Sequence, residues 1–451
     1  MRPALVFIAA IILIVPNRGR AQTSPPSPQS DVVSRPAADG ASSANAKTLT
    51  RAQAEALALK NNPQITVGRL NALVTHQYVR EQRAALLPTV YLNVTAVGSD
   101  PGSRIAAGAL TNPTVYPRAA AGATVSQLIT DFGRTTNLLS SAEFQAKAQD
   151  QTAAATTADI VLAVDRVFFN TLETQALVTV ARQTVDTRQT FVDKIQALTN
   201  AKLRSDLDLS FAKVDAARGR LLLLEAQNNY QSSLAALSAL LGFSDEQNFQ
   251  LLEESAALNP PPLDVSPLIT EALDQRPEIL SLRSQVQAAE KFGHAEHDLW
   301  RPNISALGAV GLAPVREAPI SAFYGAGGVN VTIPLFTGFL FNARAQTADL
   351  QTSINRQRLK DLQDNIARDV RNAWHDSNRA YERLSVTRQL EEQANLALDL
   401  AQSRYNLGLS SIVEFTQAEL QKTEADISDT DARYQYWLTQ IVLAYSVAAP
   451  R

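Results

Sequence analysis

The residues best suited to chemistry are two histidines three positions apart, in His294-Ala295-Glu296-His297. Imidazole nitrogens are good zinc ligands, so this pair suggests, as one hypothesis, a secreted metal-dependent hydrolase. Zinc hydrolases use the spacing H-E-x-x-H, however, and no third ligand stands at a recognised spacing from this pair. We therefore interpret the histidines as surface residues near a helix end, and we predict no metal, no cofactor and no catalytic residue.

The sequence holds no other catalytic signature. It contains no cysteine, no G-x-S-x-G nucleophile motif and no P-loop. Its 41 basic and 44 acidic residues nearly balance and form no basic block, which argues against a nucleic-acid partner. The sequence therefore favours a structural or transport role over an enzymatic one. Evidence for such a role has to come from the predicted helices and strands.

The N-terminal segment is typical of a secretory signal peptide, which we place at residues 1–21. Arg2 precedes an apolar run from Ala4 to Val15, which is shorter than the roughly 20 residues that a membrane-spanning helix needs. A signal anchor is the other interpretation of this run. Residues 22–48 are rich in Ser, Pro and Ala with few large apolar side chains, a composition that predicts a disordered tether.

The rest of the chain is an internal duplication with an offset of 214 residues. Ala58–Ile65 reappears as Ala272–Ile279, and Pro88 reappears as Pro302. Repeats of this size indicate a pseudo-symmetric architecture. The predicted boundaries are 49–250 for the first repeat, 251–266 for a proline-rich linker and 267–448 for the second repeat.

Each repeat contains two short stretches with strand-like alternation. In the first stretch Val90, Leu92 and Val94 alternate with polar residues. Such strands can cross an outer membrane, although the same pattern suits a half-buried strand in a soluble sheet. Four strands cannot close a channel, because the smallest outer-membrane barrels have about 8, so a barrel would require several chains. The predicted strands are 89–98, 119–131, 303–312 and 325–335.

A long run without proline follows each strand pair and predicts a helical hairpin, over 134–241 and over 339–447. Gly408 marks the turn of the second hairpin, because glycine readily takes the positive φ that ends a helix. Lys202 stands at the matching position of the first. The fold class is therefore mainly α with a small β part. Two such hairpins cannot bury both flanks of every helix, which predicts lateral assembly.

Three motifs in this order carry a resemblance to a known family. They are Gln127–Gly133, Pro334–Gly338 and the turn Tyr405-Asn406-Leu407-Gly408-Leu409. With the duplication and the signal peptide, they make residues from about Leu49 to Val447 resemble the TolC family of outer-membrane efflux proteins.

The resemblance implies a homotrimer whose four strands per chain close a 12-stranded barrel in outer-membrane lipid. The helical hairpins would continue this barrel as a tunnel across the periplasm, where a periplasmic adaptor (membrane fusion protein) and an inner-membrane pump dock. The implied function is a passive export duct of a tripartite efflux or type I secretion system, whose pump largely sets the cargo. The alternative from another class is a secreted periplasmic coiled-coil scaffold or adhesin without a pore.

The resemblance also implies a gate of acidic rings just after the hairpin turns. Glu414 and Asp208 match these positions, each six residues beyond Gly408 or Lys202. Three-fold symmetry would gather like charges that attract cations. The alternative is that both are helix N-terminal carboxylates favoured by the helix dipole. Gln417 stands where some relatives carry a second acid, and Lys202 replaces the family's glycine.

The same hairpin ends are where adaptors of this family bind. The candidate docking residues are Leu203, Leu407, Gly408, Leu409 and Ser410. Their alternative interpretation is local packing of a glycine turn against a flanking leucine, which is a common way to end a helix.

Overall fold

The structure of the protein is a computed structural model that describes residues 47–98, 118–253, 258–315 and 321–447. The expected signal peptide over 1–21 lies outside the described residues, as do residues 22–46 of the expected tether. The described chain is mainly helical with a small β part, which confirms the fold class at that level. Within the described residues, none of the helices combines the length and the hydropathy that crossing a bilayer requires.

Two short helices open the first repeat, α1 (Arg51–Asn61) and α2 (Pro63–Ala84). Thr50 begins α1 with a capping box, in which its hydroxyl accepts from the Gln53 amide and the Gln53 side chain accepts from the Thr50 amide. Asn62 separates the helices, because its side chain caps α2 and the following proline fits only the first helical turn.

The two repeats then run through the same order of two strands and a helical hairpin. The first repeat continues with β2 (Thr89–Val97), β3 (Arg118–Thr130), α3 (Arg134–Asn200) and α4 (Asp206–Leu240). The second repeat consists of α5 (Ser266–Gln275), α6 (Pro277–His297), β5 (Asn303–Val315), β6 (Phe323–Thr332), α7 (Leu340–Asn406) and α8 (Ile412–Val447). Helices α3 and α7 have 67 residues each, so each is about 100 Å long at a rise of about 1.5 Å per residue.

The strands of both repeats form one antiparallel sheet in the order β2-β3-β5-β6. Leu92 pairs with Ala123, and Leu307 pairs with Gly328. Strand β5 runs beyond the predicted end at residue 312, because Val315 still pairs with β3. Strand β6 ends before the predicted residue 335, as expected next to a proline that lacks a ladder donor. Strands β2 and β6 are left at the two edges.

A small parallel pair lies outside this sheet, formed by β1 (Lys47–Leu49) and β4 (Phe249–Leu251). It overlaps the expected end of the tether and the expected start of the linker. Leu49 and Leu251 are both buried in the main hydrophobic cluster, so Lys47 and Thr48 of the expected tether and Leu251 of the expected linker belong to a paired strand.

The main core joins the two repeats. It is formed where α1, α3 and α4 of the first repeat meet α8 of the second. Its members on these helices include Ile160, Val164, Phe168, Leu234, Leu237, Tyr434 and Trp437. Because α3 and α8 belong to different hairpins, burial of this cluster holds the hairpins side by side.

Candidate functional site

The first candidate site is the turn between α3 and α4, residues 198–209, which we call the first tip. Lys202 lies in the left-handed region at φ +60°. The Leu203 amide donates to the Leu198 carbonyl at 2.9 Å, five residues back. This is the hydrogen bond of a Schellman helix end, in which a left-handed residue reverses the chain.

The second tip, residues 404–415 between α7 and α8, has the same construction. Gly408 has φ +73°, and the Leu409 amide donates to the Arg404 carbonyl at 2.8 Å. Lys202 therefore adopts the conformation that glycine adopts in the other repeat, and the substitution leaves the turn type unchanged. A side chain in this region costs roughly 1–2 kcal/mol.

The two candidate gate acids lie at matching positions of these turns. The Asp208 amide donates to the Ser205 hydroxyl at 3.1 Å, and the Glu414 amide donates to the Ser411 hydroxyl at 3.3 Å. Each acid is thus in the first turn of a serine-capped helix. A helix N-terminus favours carboxylates there whatever else they do, so this geometry agrees with the dipole interpretation as well as with a gate.

An ion pair modifies the charge of the second tip. Arg404 Nε lies 3.1 Å from Glu414 Oε1, and both side chains are about half exposed. This pair closes the turn from the last residues of α7 to the first turn of α8. The carboxylate is therefore partly compensated within its own hairpin.

A second arginine connects the two tips to each other. Arg204 Nη2 donates to the Tyr405 carbonyl at 2.7 Å, and its guanidinium lies 4.3 Å from the centre of the Tyr405 ring. Burial raises the pKa of the Tyr405 hydroxyl above 10, the Asp208 carboxylate raises it further and Arg204 opposes the rise. The first tip thus holds the second through one stacked and hydrogen-bonded guanidinium.

An aromatic cluster lies beneath this contact. The rings of Phe191 and Phe415 are 4.4 Å apart, and each lies 5.8 Å from the ring of Tyr405. Ile195 and Leu209 pack in the same cluster. Helices α3, α4, α7 and α8 therefore all contribute to one packed unit at the tips.

The predicted docking residues divide into exposed and covered groups. Leu203, Leu407 and Leu409 are 69%, 74% and 66% exposed, and Gly408 is open to solvent. Ser410 is half-buried, and its hydroxyl oxygen is covered without a hydrogen-bond partner among the described residues. Leu207 and Val413, which the sequence did not single out, are also exposed apolar residues of the tips.

One residue of the histidine pair contacts an acid on another helix. His297 Nε2 lies 3.2 Å from Asp349, an acid on α7. No cluster of three or more potential His, Cys, Asp or Glu ligands occurs among the described residues. His294 and His297 lie in the last turn of α6, where positive charge suits the helix dipole.

Arg204, Tyr405 and Arg404 are the tip residues that sequence reasoning missed as partners. The sequence places Tyr405 in a turn motif, and its burial makes it the centre of the contact between the tips. The available signal was an aromatic residue three positions before the turn glycine, at the spacing of the apolar stripe.

The chain thus carries a duplicated unit of two strands and a long hairpin, and its two tips pack together. The chain belongs to the outer membrane efflux protein family, whose model matches residues 56–243 and 268–448. The protein is therefore an outer-membrane efflux protein, and the resemblance to the TolC family is confirmed. Membership of a family of channels supports a non-enzymatic role.

Individual members of this group of proteins are similar to the chain at low sequence identity. The chain is 23% identical over 409 residues to the outer membrane protein TolC of Escherichia coli K12, covering 84% of this chain and 78% of that one. It is 24% identical over 394 residues to OprJ of Pseudomonas aeruginosa PAO1, covering 84% of this chain and 80% of OprJ.

Solved structures share the fold. VceC from Vibrio cholerae superposes with a TM-score of 0.74 at 18% identity, covering 88% of this chain and 95% of VceC. The CmeC outer membrane channel of Campylobacter jejuni gives a TM-score of 0.75 at 16% identity, covering 93% of this chain and 94% of CmeC.

Proposed function

We propose that the protein is a passive export duct built from three copies of the chain. The sheets of the three copies close a channel in the outer membrane, and the hairpins continue it as a tunnel through the periplasm. A periplasmic adaptor and an inner-membrane pump dock at the tips, as in tripartite efflux or type I secretion. The pump supplies the energy, and the duct supplies the pore, the gate and the docking surface.

The observation that carries this proposal is a sheet that is incomplete in a single chain. Its edge strands β2 and β6 have no outer strand partner within the described residues. Val90, Leu92 and Val94 present an exposed apolar face along β2, as Val329 and Val331 do along β6. When sheets of several copies join within a membrane, the edge strands gain hydrogen-bonded neighbours and the apolar face contacts lipid.

An exposed apolar stripe on α4 supports the assembly in the helical part. Leu207, Phe211, Val214 and Leu221 follow one another at steps of four, three and seven residues and are all exposed. This spacing places them on one helix face, which a helix in water normally buries. A neighbouring copy is the simplest cover, because the stripe runs along the length of the hairpin.

We place the gate at the tips, with Glu414 and Asp208 as its acids. Both lie at helix starts beside the contact that joins the two tips, so movement of one hairpin relative to the other would reposition them. Arg404 pairs with Glu414 and Arg204 connects the hairpins. In this proposal the acids attract cations, and Arg204 helps to hold the gate closed.

We place the adaptor contact on the exposed apolar surface of the tips. Leu203, Leu407, Gly408 and Leu409 are accessible there, whereas Ser410 contributes through its backbone position. Exposed leucines grouped at the end of a helical hairpin are typical of a protein interaction site.

The deciding experiment is planar-bilayer conductance of the detergent-purified mature chain, after light scattering has fixed its mass. We expect a trimer that forms small, steady, cation-selective pores. Substituting Glu414→Ala should reduce the ratio of cation to anion permeability by about twofold or more, because one negative charge per copy leaves the pore entrance.

The matched control is Glu424→Gln, which removes an exposed charge from the same helix away from the tip. It should leave selectivity unchanged. An unchanged response in Glu414→Ala would remove this residue from the gate. A monodisperse particle that never conducts, even with its tips opened by substitution, would favour a periplasmic scaffold over a duct.

A further inference from the structure

Three ionisable side chains lie buried between the two hairpins, about two helical turns inside the tips. They are Arg188 of α3, Asp215 of α4 and Glu419 of α8, which are 5%, 6% and 5% exposed. Charged side chains are almost never buried to this extent unless they are paired. Two acids and one arginine leave the cluster with one negative charge too many if both acids are ionised.

Arg188 forms an ion pair with only one of the two acids, Asp215. Arg188 Nε lies 3.1 Å from Asp215 Oδ2, and Nη1 donates to the Asp215 carbonyl at 3.1 Å. Its third nitrogen, Nη2, donates to the Thr423 hydroxyl at 3.2 Å. The guanidinium therefore balances the charge of Asp215 and fixes the aspartate beside α8.

Each of the two acids has a buried oxygen without a hydrogen-bond partner among the described residues, Glu419 Oε2 and Asp215 Oδ2, although the latter lies 3.1 Å from Arg188 Nε. A hydrogen bond between the two carboxyl groups would satisfy both oxygens. Two ionised carboxylates cannot hydrogen-bond to each other, so such a bond requires a proton on one of them. Burial, followed by Asp215, raises the pKa of Glu419, and Arg188 opposes the rise only in part.

The other ionisable residues that line the neighbouring cavity do not balance the negative charge that an ionised Glu419 would carry. A cavity of about 190 Å³ beside Glu419 is lined by the ionisable residues Arg188, Lys422 and Asp426. Lys422 and Asp426 form an ion pair with each other on α8, and α7 contributes the apolar Leu398 to this lining. A metal ion at this place would meet a guanidinium and only two carboxylates, which is a poor cation site.

We propose that Glu419 and Asp215 share one proton, and that this proton fastens α8 of the second hairpin to α4 of the first hairpin near the tips. With the proton in place the cluster is neutral, with one guanidinium, one carboxylate and one carboxylic acid. Without it, two buried carboxylates face each other across the seam between the hairpins and repel.

The sign of the pH dependence follows from the direction of the shift. The pKa of Glu419 in the folded chain lies above its ordinary value of 4.5. The folded state therefore holds this proton more tightly than the unfolded chain does. The stabilisation is complete below the ordinary value, declines as the pH rises above it and is lost once the pH passes the raised pKa.

A second carboxylate pair repeats the arrangement farther from the tips. The pair consists of Glu173 of α3 and Asp431 of α8, and Arg383 of α7 lies 2.6 Å from Asp431. Burial and the nearby Asp431 raise the pKa of Glu173 to about 7. This pair also crosses the seam between hairpins, so its proton has to be separated experimentally from that of Glu419.

The direct test is infrared difference spectroscopy of the full chain in detergent, in a Glu173→Gln background, between about pH 6 and about pH 9. A buried protonated carboxyl gives a resolved C=O stretch. We expect such a band at the lower pH that disappears at the higher pH. Glu419→Gln should abolish it, and the exposed control Glu424→Gln should retain it.

Hydrogen exchange of α4 and α8 near the cluster tests the structural consequence. After correction for intrinsic rates, these amides should exchange at least about tenfold faster at the higher pH in the Glu173→Gln background, because each pH unit between about 6 and the raised pKa of Glu419 weakens the folded state by up to a factor of ten. Glu419→Gln should remove this pH response, since glutamine keeps a neutral donor facing Asp215.

The outcomes separate the parts of the proposal. If no carboxyl band depends on Glu419, the shared proton is absent. If the band is present but exchange responds to pH equally in both variants, the proton does not fasten the hairpins. Should Glu419→Gln fail to fold, Asp215→Asn provides the alternative, because it changes the acceptor and should shift the Glu419 band; an unshifted band would overturn the pairing.

Discussion

Lys202 and Gly408 occupy matching positions of the two tips and form the same type of turn, although only Lys202 has a side chain. Both adopt positive φ and both are followed by a leucine that completes the Schellman hydrogen bond. Glycine adopts this conformation without a steric penalty, whereas lysine has a Cβ that opposes it. The first tip is therefore strained where the second is not.

The strain predicts opposite effects for two small substitutions. Gly408→Ala should raise the exchange rate of the Leu409 amide about fivefold, because a left-handed alanine costs roughly 1 kcal/mol. A Cβ at Gly408 meets no atom within 4 Å, so a steric clash with neighbouring atoms would not contribute to the measured effect. The measurement is hydrogen exchange of the purified protein, read at the last turn of α7.

The matched variant is Lys202→Gly in the first tip. It should slow exchange of the Leu203 amide by about twofold, since relief of the strain is partly offset by the greater freedom of glycine in the open state. Equal behaviour of the two tips in all variants would contradict the assignment of strain to Lys202.

At this scale the sequence predicted positions better than partners. The places of Asp208 and Glu414 after the turns follow from counting along the chain, and both lie at helix starts. The contacts of Arg204 with Tyr405 and of Arg188 with Asp215 and Thr423 join residues that are 27 or more positions apart in the sequence. Local spacing holds no information on such pairs, because they depend on how the helices pack.

At the scale of elements, the two hairpins are held together near their ends by a small number of specific groups. Arg204 crosses from the first tip to Tyr405 in the second, whereas Arg404 pairs with Glu414 across its own turn. The two arginines lie on opposite sides of their turns, Arg204 two residues after Lys202 and Arg404 four residues before Gly408. Arg204 therefore makes a contact between the hairpins, and Arg404 makes a contact within one hairpin.

Arg204→Ala should loosen the tips. A hydrogen bond from a charged donor contributes about 1.5–3 kcal/mol, so the fraction of open channels should rise about tenfold. Single-channel recording at fixed voltage measures this fraction. Arg404→Ala should alter selectivity through Glu414 but change the open fraction less, and an equal effect of both variants would contradict the contact between tips as a lock.

Elements were predictable from the sequence where they were long. The absence of proline in each long run predicted the helical arms, because helices tolerate almost every other residue in their interior. The parallel pair of β1 and β4 was missed, since three residues per strand give no period and their partners are about 200 residues apart. The ends of β5 and β6 differed from prediction because ladder pairing, and not composition, decides where a strand stops.

At the scale of the whole molecule, an even number of strands matters for assembly. The order β2-β3-β5-β6 is antiparallel throughout, so β2 and β6 run in opposite directions. Strand β6 of one copy can therefore join β2 of the next copy as another antiparallel pair. Four strands from each of three copies would then form a continuous ring without an edge.

This arrangement predicts disulfides between copies at the sheet edges. The chain has no cysteine, so any disulfide that forms must come from the introduced cysteine pairs. Directly opposite Cα atoms in antiparallel strands lie about 4.5–5.5 Å apart, which suits a disulfide. Leu92→Cys on β2, combined in turn with Gly327→Cys, Val329→Cys or Val331→Cys on β6, should give reducible covalent trimers in at least one combination.

The internal control uses strands that already pair within one chain. Thr124 of β3 lies opposite Ala309 of β5, so Thr124→Cys with Ala309→Cys should form a disulfide that leaves the chain monomeric on a denaturing gel. If the control closes and light scattering shows a trimer, yet no edge combination links the copies, β2 and β6 do not meet in the assembly. The helices alone would then hold the trimer together, and the sheet would need another cover for its edges.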